Sequence, residues 1–99
     1  MFYKAHFAKT PRSKIKAEMH KEGFTPLVIK NEPGYIYEEH EHKETKYLVC
    51  LAGSMKVTYG KKTCDFEPGD KLIIQGNTKH TAVVGEKGCA FFWAEKIIG

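Results

Sequence analysis

Arginine is almost missing from this chain. Of 16 basic residues only Arg12 is an arginine, and the lysines are spread evenly along the sequence. A nucleic-acid footprint is clustered and favours the planar guanidinium for phosphate and base contacts. A net charge of +4 without such a cluster therefore argues against a nucleic-acid partner. Long apolar runs are missing too. No stretch approaches the ~20 residues of a membrane span, so no membrane partner is expected. The opening Met-Phe-Tyr-Lys-Ala-His lacks the apolar stretch and small-residue cleavage site of a secretory signal, which predicts a cytoplasmic protein. Cysteines are few. Cys50, Cys64 and Cys89 are odd in number, include no C-x-x-C pair and sit in or beside apolar strand patterns. They read as buried thiols packing as small hydrophobes, with Cys89 the first candidate for reactivity. One glutamine and two asparagines beside many lysines and glutamates is a composition reported for heat-adapted proteins, and it says nothing of function.

What is present fits one globular domain over residues 1–99, with 41% hydrophobic and 12% aromatic residues. Residues 1–8 alternate unevenly and suggest a short edge strand. Thr10-Pro11 predicts a helix start, with the hydroxyl as N-cap and proline at the first helical position. Ile15 and Met19 give a narrow apolar stripe, and Gly23 is the expected stop of a surface helix over 11–22 lying across a barrel end or face. His6 and His20 read as surface residues. From Phe24 onward short strands alternate with turns. Strands are expected near 24–30, 35–39, 45–51, 55–59, 63–66, 71–75, 80–84 and 90–94. The turns fall at Asn31-Glu32-Pro33-Gly34, Ala52-Gly53-Ser54, Gly60-Lys61-Lys62, Pro68-Gly69-Asp70 and Gly76-Asn77-Thr78. Strands at this spacing predict an all-β antiparallel sandwich or barrel.

Within it, His40 and His42 are one residue apart. In a strand, side chains at i and i+2 share a face, so both imidazoles are expected to point into the same cavity. His80 lies far along the chain, after Pro68-Gly69-Asp70 and Gly76-Asn77. These spacings resemble the cupin family. Its first motif, G-x5-H-x-H-x3-4-E-x6-G, is matched by Gly34, His40, His42 and Gly53, with Lys46 where the glutamate belongs. Its second, G-x5-P-x-G-x2-H-x3-N, is matched by Gly69 and His80. Gln75, Asn77 and Val84 replace its proline, glycine and asparagine, and Asn77 is a mild change because Asn tolerates the left-handed conformation. The resemblance covers residues 24–95, with 1–23 as an N-terminal extension. It implies a double-stranded β-helix (jelly-roll) barrel with one short N-terminal helix, and in small cupins a homodimer. It also implies one divalent transition metal (Fe, Mn, Ni, Cu or Zn) held by His40, His42 and His80.

Lys46 is the departure that bears on chemistry. It shares the parity of the two histidines, and an ammonium ~4 Å from a divalent cation would be repelled by several kcal/mol at an effective dielectric near 20. Three arrangements reconcile them: a deprotonated lysine, a pair with Glu44 or Glu41, or a lysine turned to the mouth to hold an anionic ligand. The sequence resembles small cupins carrying H-x-H-x3-K and H-x-A-V-V-G, here His80-Thr-Ala-Val-Val-Gly85, in which the lysine marks a subgroup. Glu44 is a candidate fourth metal ligand and Glu38 a weaker one. Tyr35 and Tyr37, of opposite parity, are expected on the outer surface or at a dimer contact. Phe91-Phe92-Trp93 puts aromatics on both faces of the last strand, one set for the core and the other for a second subunit. The expected activity is metal-dependent chemistry, oxygenase- or isomerase-like, on a small polar or anionic molecule, with Lys46 as acid/base or anion contact. The alternatives are a metal-free cupin that binds or senses a small molecule, and a structural subunit of a complex.

Overall fold

Two long strands organise the molecule, where the turn signals predicted four short ones. A computed structural model describes residues 1–98. In it β4 runs through Thr45–Tyr59 (15 residues) and β7 through His80–Lys96 (17 residues). Gly53 does not end its strand. It takes φ 71, and register shifts between Cys50 and Ala52 and between Gly53 and Met55 bend β4 without breaking the β4–β7 ladder. No side chain fits at Gly53, because a Cβ there would run into the Gly88 carbonyl.

The bend puts the two halves of each long strand into different layers. The first layer runs β1 (Phe2–Tyr3), β6 (Lys71–Ile74), the start of β4, the end of β7, and β2 (Leu27–Asn31). The second runs β5 (Lys62–Phe66), the end of β4, the start of β7, and β3 (Ile36–His40). All pairings are antiparallel, as a jelly-roll barrel requires.

Strand alternation then sorts the apolar residues into two cores. Leu48, Cys50, Met55, Val57, Ile74, Val84 and Phe91 pack between the layers. Their neighbours Tyr47, Val49, Phe92 and Ala94 face the other way and meet Ile15 and Met19 of the helix, together with Phe7 and Phe24. The helix, α1 (Arg12–Lys21), thus covers the outer face of the first layer. This corrects one expectation. Phe92 is fully buried in this second core, against the chain's own helix rather than a second subunit.

The helix begins one residue later than predicted. Pro11 is itself the N-cap, without a side-chain cap bond, and Thr10 Oγ1 donates instead to the Ala8 carbonyl at 3.5 Å. Its end is as predicted. Gly23, at φ 87, donates to the His20 carbonyl at 2.9 Å, and Phe24 donates to the Met19 carbonyl at 2.9 Å. These two bonds close a Schellman motif, with Met19 and Phe24 supplying its apolar contact. The Pro68-Gly69-Asp70 turn anchors the N-terminal segment. Asp70 is buried and accepts from the Ala5 and Glu67 amides at 2.7 and 2.8 Å. Cys50 and Cys89 are buried as expected, with their Sγ atoms 3.9 Å apart. Cys64 is only half-buried, and desolvation pushes its thiol up to about 11. Among the described residues no helix is long and apolar enough to cross a membrane.

Candidate functional site

A cavity of about 330 Å³ lies between the layers, with His40, His42, Lys46 and His80 among its lining residues. Strand ends assemble it. His40 is the last residue of β3 and pairs directly with His80, the first residue of β7, so their ring centroids are 4.1 Å apart. His42 lies beyond the end of β3 rather than within it, which corrects the shared-strand expectation. Its ring still comes to 4.7 Å from His40, and to 6.2 Å from His80. The Gly76-Asn77 turn sets this approach. Asn77, left-handed at φ 64, donates its amide to the His42 carbonyl at 2.6 Å. The Gly76 amide donates to Thr45 Oγ1 at 3.1 Å, and a Cβ on Gly76 would run into the Lys43 carbonyl.

Two of the imidazoles are oriented from behind. His40 Nδ1 lies 2.6 Å from the Glu38 carbonyl and His80 Nδ1 lies 3.0 Å from the Thr78 carbonyl. A carbonyl can only accept, so each Nδ1 carries a proton, and in the neutral ring the lone pair is left on Nε2, the arrangement found behind metal-ligating histidines. Burial lowers the His80 pKa, and the neighbouring His40, His42 and Lys46 charges lower it further against the opposing Thr78 bond. The neutral form of His80 is thereby favoured.

Lys46 is buried at 7% exposure and faces the cavity, as its parity predicted. Its partner is neither Glu44 nor Glu41 but Glu95, its direct cross-strand neighbour on β7, to which it forms an ion pair. The ammonium also sits 4.9 Å from the Trp93 ring centroid, a cation–π contact. Glu95 shares the parity of Phe91 and Trp93, and that spacing was the signal that could have found it. Glu44 is half-buried in the bend before β4 and does not line the cavity. Glu38 is exposed and contributes its carbonyl, not its carboxylate.

Tyr37 is the clearest correction. It lines the cavity, with its hydroxyl donating to Asn31 Oδ1 at 2.6 Å, whereas the parity of β3 predicted the outer face. A β-bulge is the reason. Tyr37 pairs with Ala82 and His40 with His80, so three steps on β3 match two on β7 and both side chains turn inward. Tyr35 is exposed, in line with expectation.

Does this donor set suit a metal? Imidazoles bound through Nε2 at about 2.1 Å hold their centroids roughly 5 Å apart. Two of the three observed separations come near that value and the His42–His80 distance of 6.2 Å exceeds it. Among the described residues no group of three His, Cys, Asp or Glu side chains is placed to hold an ion. The ring geometry locates the shortfall in His42, which is exposed and off the strand, while His40 and His80 are already oriented. In kind the donors fit a first-row divalent metal, but in position they do not converge, with the His42 ring 6.2 Å from that of His80.

The barrel is similar to several solved structures. KdgF from Halomonas sp. aligns with a TM-score of 0.69 at 18% identity, covering 77% of this chain and 70% of that one. Oxalate decarboxylase from Bacillus subtilis aligns with a TM-score of 0.68 at 24% identity, over 75% of this chain and 21% of the enzyme. The cupin domain of Schizosaccharomyces pombe Cnp3 aligns with a TM-score of 0.68 at 13% identity, over 76% and 60%. At these identities the likeness is one of fold, and this chain spans only about a fifth of the decarboxylase. No curated protein matches the chain in sequence. A family model described as a cupin domain matches residues 27–95, from the first residue of β2 to the carboxylate that pairs with Lys46. A match over that share of 99 residues places the chain in the cupin family.

Proposed function

We propose that this cupin binds one divalent first-row metal through His40, His42 and His80 and acts on a small molecule held in the barrel cavity. The observation that carries the reading is the pairing of His40 with His80, both Nδ1 atoms bonded to backbone carbonyls. When bound, such a metal supplies Lewis-acid or oxygen-activating chemistry. The lysine is no obstacle to it. Whichever partner holds the proton, the Lys46–Glu95 pair is neutral overall, and the repulsion expected of a lone ammonium is reduced. Lys46 serves as acid/base or anion contact only in exchange for Glu95. Tyr37 adds a hydroxyl to the wall, fixed by Asn31.

The position of His42 supports a second reading, a metal-free cupin that binds a small molecule in the same cavity. Metal content separates the two. Elemental mass spectrometry on untagged protein, purified without chelator or nickel resin, should find about one equivalent of iron, manganese, nickel, copper or zinc. The metal should be lost in His40→Ala and in His80→Ala. A wild type that stays empty after incubation with each of these ions would end the metal reading and leave the metal-free one.

A further inference from the structure

The chemistry of the cavity is divided along its depth, and register shows how. At one end His80 pairs with His40 and with Tyr59, and Lys46 pairs with Glu95. One step deeper come the pairs Val57–Ala82 and Leu48–Trp93, and deeper still Met55 and Phe91, where β4 bends. Every imidazole or ammonium lining the cavity is therefore at one end, and the walls beyond are aliphatic or aromatic, with one hydroxyl, that of Tyr37 opposite Ala82, already bonded to Asn31. Lys46, the one fixed cation, is already neutralised by Glu95 and stacked on Trp93.

We propose that the ligand is a monocarboxylic acid with an apolar body, aromatic or branched aliphatic. This rests on the cavity being the ligand site. The body lies against Leu48, Val57, Ala82 and Trp93, and the single carboxylate sits at the histidine end. It lies on the metal where one is bound and otherwise on the ring N–H of His42, the cavity imidazole whose N–H is not given to a backbone carbonyl. Polar molecules with charged groups at both ends are disfavoured, because the deeper walls offer no second charge and a single hydroxyl, that of Tyr37, whose proton is already given to Asn31. With Lys46 paired to Glu95, the cavity wall has no unpaired fixed cation for the second charge of a dianion. The size agrees. A volume of about 330 Å³ is at the small end for ligand pockets and takes on the order of ten heavy atoms, the scale of benzoate or phenylacetate. The polar or anionic molecule expected from the sequence thus becomes an acid that is apolar over most of its surface.

Trp93 is the only tryptophan in the chain and lines the cavity, so its fluorescence reports occupancy directly. Wild-type protein would be titrated with benzoate, phenylacetate, oxalate and succinate, with and without added Mn²⁺, beside metal content. Benzoate or phenylacetate should bind at least tenfold more tightly than either dicarboxylate. Ala82→Leu, or Val57→Phe if the first fails to fold, should weaken that binding at least tenfold with metal content unchanged. Equal or tighter binding of oxalate, no response to any acid, or full affinity in a folded filled-cavity variant would each overturn the inference. A loaded protein that prefers oxalate sinks the ligand class and keeps the metal. An empty protein that prefers benzoate keeps the ligand class and sinks the metal.

Discussion

Lys46 stands where the first cupin motif has its glutamate, and its behaviour there depends on Glu95, 49 positions away. The ammonium is buried and its partner's side chain is 31% exposed. Removing the carboxylate therefore leaves a charge with little water to solvate it. A fully buried partner would cost about 3–5 kcal/mol, and the access of solvent to Glu95 reduces that to about 2 kcal/mol for Glu95→Ala. Lys46→Met should cost less than about 1 kcal/mol. The methionine keeps the stem against Trp93 and leaves only an exposed carboxylate behind. Urea denaturation of both variants tests this order. Equal losses would mean that Lys46 holds more than Glu95. The cavity chemistry turns on the same pair, since a charge paired at the wall repels a cation less and recruits an anion less than a free ammonium would.

At the scale of elements, two motif glycines that look alike in sequence have different work. Gly34 is left-handed at φ 76 with open space where a Cβ would go. Gly53 is left-handed at φ 71 with the Gly88 backbone in that space. Gly34→Ala should cost only the left-handed penalty, about 1–2 kcal/mol. Gly53→Ala should cost that plus displacement of β7 from β4, more than about 3 kcal/mol in total. Thermal melts of the pair would show the difference, and equal melting points would disprove the packing role of Gly53. The same contrast explains what the sequence could and could not say. The jelly roll came from the cupin resemblance, whereas the inward face of Lys46 followed from strand parity and the helix stop from the glycine at position 23, both of them local geometry. The continuity of β4 and β7 was hidden, since a glycine that bends a strand reads like one that ends it. Tyr37 was placed on the wrong face because a bulge reverses parity and leaves no mark in the residues themselves. Glu95 went unread because cross-strand partners follow from register, which needs the fold.

Across the whole molecule, the site closes where the two layers meet. His40 and His80 belong to the second layer, Lys46, Glu95 and Trp93 to the first, and His42 to the connection from β3 to β4. A metal held by the three histidines would therefore tie that connection to the second layer and bind the native state alone. At a free concentration a hundredfold above Kd, this stabilises by about 2.7 kcal/mol, or roughly 10–20 °C in Tm for a domain of this size. The effect has a pH sign. Protons compete for Nε2, so the metal-induced shift should shrink as pH falls below about 6.5. Burial adds a term of the same sign without metal. The folded pKa of His80 lies below its unfolded value, so between the two the unfolded chain holds more protons. Stability is thus lost as pH falls from about 6.5 towards the folded value. A chelator separates the two, because it abolishes the first and leaves the second. Calorimetry from pH 8 to pH 5, with Mn²⁺ or Zn²⁺ and then with chelator, should show a metal shift that fades with acid over a shallower metal-independent slope. In His80→Gln both should be reduced. A metal shift that persists unchanged in that variant would place the ion elsewhere on the chain.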